Sequence, residues 1–282
     1  MNWFTWALFG VLQGLAEFLP VSSSGHLVLA QKLLGLSVPG VLLEVTVHAG
    51  TALAVVVLFA RELWLMTRAV LRRLFRGRPG VRGPALVRAD YAWRRLVTNI
   101  LLATVVTSVI GFAFQSYFRG AFENPKVAAV MLLLTGVILF ASSRLRRGRR
   151  GQDDLGPGDA IWIGAAQGLA ILPGLSRSGL TIVGGLARKL TGAAAARFSF
   201  LLSLPAIAGA VLVETVRSSE LKAALAAGVP ASGLAVAFAA AFVFGLAAMV
   251  LLVRLIERGR LHWFAWYCWL AGGAALLWLY LA

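Results

Sequence analysis

Charge is what this sequence has least of. Only 13% of its 282 residues are Asp, Glu, Lys or Arg, and acids are the scarcer sign, 11 against 27 Lys and Arg. That scarcity excludes a soluble multidomain enzyme. With 60% hydrophobic residues and a mean hydropathy of +0.83, it describes a polytopic membrane protein. The single cysteine, Cys268, excludes an intrachain disulfide. No basic residues precede the N-terminal apolar stretch, so no cleavable signal peptide is expected. The basic excess invites a nucleic-acid partner, but the arginine runs lack interleaved aromatic platforms, which argues against one. The arginines read instead as loop residues on one side of a bilayer.

Six stretches are long and apolar enough to cross, at about 17–25 residues a crossing. They are 41–60, 96–116, 127–144, 197–216, 232–254 and 263–281. Segment 61–95 carries ten Arg and 144–150 five more, and Arg254, Arg258 and Arg260 mark a third basic connection. Placing these three in the cytoplasm satisfies alternating crossings. The connections 117–126 and 217–231, with two basic residues each, then face outward. Loops 76–84 and 148–158, rich in Gly, Pro and Arg, are expected to be mobile. Arg197 is expected to snorkel at the start of a crossing and Pro205 to kink its helix. Trp and Tyr at 3, 6, 263, 266, 267, 278 and 280 read as interfacial anchors.

Two further apolar regions, 1–36 and 160–192, are each interrupted midway, and the interruptions repeat. Gln13-Gly14-Leu15-Ala16 returns as Gln167-Gly168-Leu169-Ala170, and Ser24-Gly25 returns at the same offset as Ser178-Gly179. Between the pairs stand Leu19-Pro20-Val21-Ser22-Ser23 in one copy and Leu172-Pro173-Gly174-Leu175-Ser176-Arg177 in the other. Each half-segment, about 10–15 residues, is too short to span alone. Each region is therefore expected to be a re-entrant helix–loop–helix hairpin. A single kinked helix is the plainer alternative, but Pro with a Ser/Gly cluster is more than a kink needs. An odd number of crossings separates the hairpins, so they enter from opposite sides. The expected fold is an all-α polytopic membrane protein of six transmembrane helices plus two re-entrant hairpins. It forms a single domain, 1–282, of inverted-topology repeats about 1–144 and 158–282.

Broken helices at membrane depth persist only where protein or a water-filled cavity surrounds them, and a duplicated breaker points to a site between the halves. Each tip presents the start of a second half-helix, capped by Ser22, Ser23 or Ser24 in one copy and by Ser176 or Ser178 in the other. Two such N-termini facing each other make an anion cradle. Arg177 adds a charged fork suited to phosphate, and Gly25, Gly174 and Gly179 allow close backbone approach. Glu17 shares a helix face with Gln13 and is a candidate general acid or base, or a metal ligand. Ser23 is a plausible nucleophile with Glu17 or His26 taking its proton, and attack by water is equally consistent. Serines in membrane helices more often bond the preceding turn, and a lone histidine is more often structural. The concentration of Glu17, Ser22, Ser23, Ser24 and His26 within ten residues, echoed by Ser176-Arg177-Ser178, argues for a site. Glu44 and His48, an i,i+4 pair in the next crossing, either support that site or bond each other.

At these residues the sequence resembles a known family. The run from Gln13 through Glu17, Leu19-Pro20-Val21-Ser22-Ser23-Ser24-Gly25-His26 is similar to the (Glu/Gln)-x-x-x-Glu motif and serine run of bacterial undecaprenyl-pyrophosphate phosphatases, the bacitracin-resistance type. Pro173-Gly174-Leu175-Ser176-Arg177-Ser178-Gly179-Leu180-Thr181 resembles that family's Pro-Gly-x-Ser-Arg-Ser-x-x-Thr. The likeness spans nearly the whole chain. It implies hydrolysis of undecaprenyl pyrophosphate to undecaprenyl phosphate and inorganic phosphate at the outer face of the bacterial cytoplasmic membrane. That reaction recycles the lipid carrier for cell-wall synthesis and confers bacitracin resistance. By the resemblance, Glu17, Ser23, His26 and Arg177 are catalytic. Gln13, Ser22, Ser24, Gly25, Ser176, Ser178 and Thr181 bind the substrate, and a divalent cation, Mg²⁺ or Ca²⁺, takes part. The partners implied are a polyprenyl pyrophosphate lipid and the surrounding membrane lipids. Gln13 stands where Glu is also allowed. A metal site needing two carboxylates from this helix therefore lacks one, leaving Glu17 or the substrate's own phosphates as ligands.

A transporter or lipid flippase is the chief rival, because inverted repeats with broken helices are a common transporter plan. A structural scaffold would not place Glu17, His26 and Arg177 in its core.

Overall fold

The computed structural model describes residues 2–34, 40–75, 84–146, 148–217 and 229–281. These residues form α-helices: α1 (Trp3–Phe18), α2 (Ser23–Leu34), α3 (Gly40–Leu58), α4 (Ala60–Phe75), α5 (Pro84–Ala113), α6 (Gln115–Phe122), α7 (Pro125–Ala141), α8 (Pro157–Leu169), α9 (Arg177–Ala187), α10 (Gly192–Arg217), α11 (Ala231–Glu257) and α12 (Phe264–Leu281). Short 3₁₀ turns lie at 142–144, 152–154 and 261–263. Among the described residues no strand forms beyond one parallel bridge between Arg150 and Leu190.

Among the described residues five helices are long and apolar enough to cross a membrane: Leu86–Ala113, Pro125–Arg144, Gly192–Leu212, Ala231–Glu257 and Leu261–Leu281. They cover five of the six expected crossings. The remaining one, 41–60, is α3, and the chain turns by 77° at its end and continues as α4. That turn was not legible in the apolar run, because α4 is amphipathic and reads in sequence as part of a basic loop. The crossing expected from 96 begins earlier, since α5 starts at Pro84, a residue suited to a first helical turn. Loop 76–84 and connection 217–231 fall largely outside the described residues. Loop 148–158 is tied down instead of loose: Arg150 N donates to the Lys189 carbonyl (3.1 Å) and Thr191 N to the Arg150 carbonyl (2.8 Å). α10 runs unbroken through Pro205. Arg197 lies in its second turn, half-exposed, and donates to Gln152 (3.1 Å).

Both interrupted regions break where the repeat predicts. Pro20 follows α1 and disfavours helical backbone at Leu19, while Pro173 lies in the turn between α8 and α9. α1, α2, α8 and α9 have 16, 12, 13 and 11 residues, each below the length of a crossing.

Packing repeats with the sequence. α1 lies on α11 and α8 on α5; α3 meets α10, and α7 meets α12. Small residues allow the two close contacts. A Cβ on Gly10 or Gly14 would come within 2.3 or 2.7 Å of α11 carbonyls at Ala237 and Ala241. A Cβ on Gly164 would come within 2.6 Å of the Ala103 carbonyl of α5, and one on Gly168 within 2.7 Å of Ile110. Beneath the first elbow, Phe18 meets Phe200 of α10 edge to face at 5.7 Å, both fully buried.

Candidate active site at the two elbows

Each elbow ends in a serine that caps the helix after it. Ser22 Oγ accepts from Gly25 N (3.2 Å), and Ser176 Oγ from Gly179 N (3.1 Å). The caps are Ser22 and Ser176, not the neighbouring serines. Ser22 takes a left-handed φ of 66°, uncommon for a residue with a side chain and worth note at a functional position. Both elbow carbonyls are held by a long helix. Thr135 of α7 donates to the Gly174 carbonyl (2.8 Å) and accepts from Ser176 N (3.1 Å). Cys268 of α12 donates to the Pro20 carbonyl (3.6 Å). The elbows also touch each other: Ser178 Oγ donates to the Leu19 carbonyl at 3.2 Å.

One contact joins residues 160 apart in sequence, where Arg177 Nη2 donates to Glu17 Oε1 in a charged hydrogen bond. The other oxygen, Oε2, accepts from Gln13 Nε2 (2.9 Å) and from Ser23 Oγ (2.8 Å). Ser23 and Arg177 occupy equivalent positions in the two copies, one residue after each cap, so both converge on one carboxylate. Glu17 is 8% exposed and Gln13 fully buried. Two buried atoms of this cluster, Arg177 Nη1 and Gln13 Oε1, have no partner among the described residues. A buried donor and acceptor left open beside the Ser23 hydroxyl ask for a ligand.

The other expected site residues fall in two places. Ser24 lies 3.4 Å from Ser22, and Gly25 packs against the opposite elbow, its Cβ position 2.8 Å from Gly174 Cα. Ser176, Ser178 and Thr181 are buried, and their hydroxyls bond other groups of the protein. Thr181 shares a hydrogen bond of 2.6 Å with Ser199 of α10. His26 is not hydrogen-bonded to Ser23. Its Nδ1 donates to the Ser22 carbonyl (2.8 Å), and its Nε2 accepts from the Tyr267 hydroxyl (2.7 Å), with the rings stacked. Tyr267, read from sequence as an interfacial anchor, is thus a neighbour of the site. His48 answers the question left open for the i,i+4 pair: its Nδ1 donates to the Glu44 backbone carbonyl (2.8 Å), and its Nε2 comes within 3.9 Å of Glu17 Oε2. The polar pair in an apolar helix was its sequence signal. Thr135 and Cys268 carry no signal, as each is an ordinary small residue in an apolar helix, whereas Ser199 stands in Phe198-Ser199-Phe200-Leu201-Leu202, a run within the family resemblance.

A divalent cation finds a poor set of ligands here. Among the described residues no three His, Cys, Asp or Glu side chains converge. Both Glu17 oxygens are engaged, and a cation on either would sit against the Arg177 guanidinium. These residues do not fit a resident metal.

Apolar spans surrounding paired polar elbows define the class: a multi-pass membrane protein with a charged site enclosed among its helices. The family model described as bacitracin resistance protein BacA matches residues 6–274. A protein named undecaprenyl-diphosphatase from Syntrophotalea carbinolica is 45% identical over 267 residues, 94% of this chain and 95% of that one. Proteins of the same name from Desulfosudis oleivorans (41% over 267 residues, 95% of each chain) and Carboxydothermus hydrogenoformans (38% over 277 residues, 98% of this chain and 97% of that one) are similar across their lengths. The chain belongs to the bacitracin resistance protein BacA family.

Proposed function

We propose that this protein is an undecaprenyl-diphosphatase, which hydrolyses undecaprenyl pyrophosphate to undecaprenyl phosphate and inorganic phosphate. The name of its relatives supports the activity, and one observation ties it to residues: Arg177 and Ser23, from opposite elbows, meet on Glu17. In this reading the polyprenyl tail stays among lipids and the diphosphate enters between the elbows. Arg177 supplies the fork for the terminal phosphate, and its open Nη1 is the donor that phosphate would satisfy. The N–H groups of Ser23, Ser24, Arg177 and Ser178, at the starts of α2 and α9, add partial positive charge. Glu17 keeps the guanidinium in place until substrate arrives and holds the Ser23 hydroxyl.

Two attacks fit this arrangement. In one, Ser23 Oγ bonds to the terminal phosphorus as the bridging P–O bond breaks. Its proton passes to Glu17, undecaprenyl phosphate leaves, and water then cleaves the phosphoserine. In the other, water bound by Glu17 and Gln13 Oε1 attacks directly and yields the same products. Positioning and charge neutralisation are the main demands of phosphoryl transfer, and the cluster meets both. His26, held beside the elbow, is assigned to proton transfer. Mg²⁺ or Ca²⁺ belongs in this reading with the substrate's diphosphate and not with a protein carboxylate.

The same reading makes each elbow a re-entrant hairpin, counts α3 as a sixth crossing, and relates 1–144 to 158–282 by inverted topology. Support comes from the sub-span lengths of α1, α2, α8 and α9 and from the reciprocal packing of α1 on α11 and α8 on α5. The positive-inside rule puts the arginine-rich connections in the cytoplasm, and the family resemblance implies a site that opens to the outer face of the cytoplasmic membrane. Purified Glu17→Ala and Arg177→Ala variants should each lose nearly all phosphate release while remaining folded in detergent. Near-normal turnover in either rejects the role given to that residue. Mass spectrometry after quenching distinguishes the attacks, since only the serine route leaves a phosphoryl adduct on Ser23.

A further inference from the structure

We propose that the cleft between α4 and α5 binds an anionic phospholipid. The cleft has a volume of about 720 Å³ and shares no residue with the elbows. Arg73, Arg94 and Arg95 line it, and among the described residues no acidic side chain does. Arg94 Nε donates to the Asp90 carbonyl (3.1 Å) and Arg95 Nη1 to the Asp153 carbonyl (3.2 Å), so both guanidinium groups are held in place by backbone. Arg73 is exposed, with no partner among the described residues. Among the described residues none of these three forks has a carboxylate partner, and such forks fit a phosphate.

Apolar side chains continue the same cleft. Val70 and Leu74 of α4 and Leu101 of α5 line it, Leu74 being 69% and Leu101 57% exposed. A free phosphate would leave that wall in water; an acyl chain covers it. The surroundings match a membrane surface. α4 departs from α3 by 77° and exposes Trp64 and Phe75 beside its arginines, the pattern of a helix lying in the headgroup layer. Basic clefts of this kind on the arginine-rich side of a membrane protein take phosphate headgroups. The occupant is thus an amphiphile with a phosphate head and net negative charge, which phosphatidylglycerol represents and phosphatidylcholine does not.

Native mass spectrometry of the detergent-purified protein, titrated with each lipid, tests this. Wild type should retain phosphatidylglycerol several-fold more strongly than phosphatidylcholine. Arg73→Gln and Arg94→Gln should each weaken that retention about fivefold. Phosphate release in lipid-free detergent should be unchanged in both, which shows that they fold. If Arg94→Gln fails to fold, Arg73→Gln alone decides the matter. Equal retention of the two lipids, or undiminished phosphatidylglycerol binding in a folded Arg73→Gln, overturns the proposal. So does complete displacement of phosphatidylglycerol by millimolar inorganic phosphate, which would make the cleft a phosphate site without a lipid.

Discussion

His26 is engaged at both ring nitrogens, and this limits what it does at rest. The neutral ring carries its proton on Nδ1, bonded to the Ser22 carbonyl, and presents Nε2 to Tyr267. Tyr267→Phe removes that hydroxyl while keeping the stacked ring. It should lower kcat about three- to tenfold with little change in KM, the scale of one lost hydrogen bond. If Tyr267 acts through His26, adding Tyr267→Phe to His26→Ala should cost nothing further, and a steady-state phosphate assay of the three variants reads this directly. At this scale the sequence was informative about identity and poor about partners. Glu17, Ser23, His26 and Arg177 stood out because charged and hydroxylic side chains are expensive at membrane depth. The 241 residues between His26 and Tyr267 hid their pairing, and a tyrosine near a helix start looks like an interfacial anchor.

The elbow is the element on which the site depends. Gly174 has a φ of +95°, and a Cβ there would lie 2.1 Å from the Ala128 carbonyl of α7. Both strain and overlap oppose any side chain. Gly174→Ala should therefore cost at least about 2 kcal/mol of stability, read as a lowered melting temperature, together with most of the activity. Gly120→Ala is the matched control. It lies in α6 with nothing within 4 Å of a new Cβ, so it should change stability by under about 1 kcal/mol. The breaks themselves were legible, because Pro20 and Pro173 punctuate apolar runs too short on either side to span. The supports were not: Thr135 and Cys268 hold the elbows from other helices, and nothing local marks them.

Across the whole molecule, the basic side is closed by a network around Asp159, at the mouth of α8 and outside the apolar spans. Arg150 Nη2 and Arg188 Nε donate to its carboxylate at 2.6 and 2.7 Å. Burial pushes the Asp159 carboxyl up, but the hydrogen bonds from Arg150, Gly156 N and Arg188 outweigh it and hold it at about 2, below its ordinary 3.8. A carboxyl depressed on folding stabilises the protein fully above its unfolded pKa and stops doing so as pH falls through the folded one. Wild type should therefore melt above Asp159→Asn at neutral pH. The gap between their melting temperatures should close between about pH 4 and pH 2. A gap that persists at pH 2 would assign the difference to something other than this ionisation.

Composition and local pattern by themselves determined the helical membrane class, the long apolar helices apart from the turn after α3, the two breaks and the charged and hydroxylic residues beside them. They do so because apolar length, proline and buried charge have costs that each segment meets alone. Only the tertiary structure decided that Arg177 lands on Glu17, that His26 faces Tyr267, that Thr181 serves Ser199, and that α4 swings away to open a basic cleft. These outcomes depend on how helices distant in sequence pack, and no single segment carries that information.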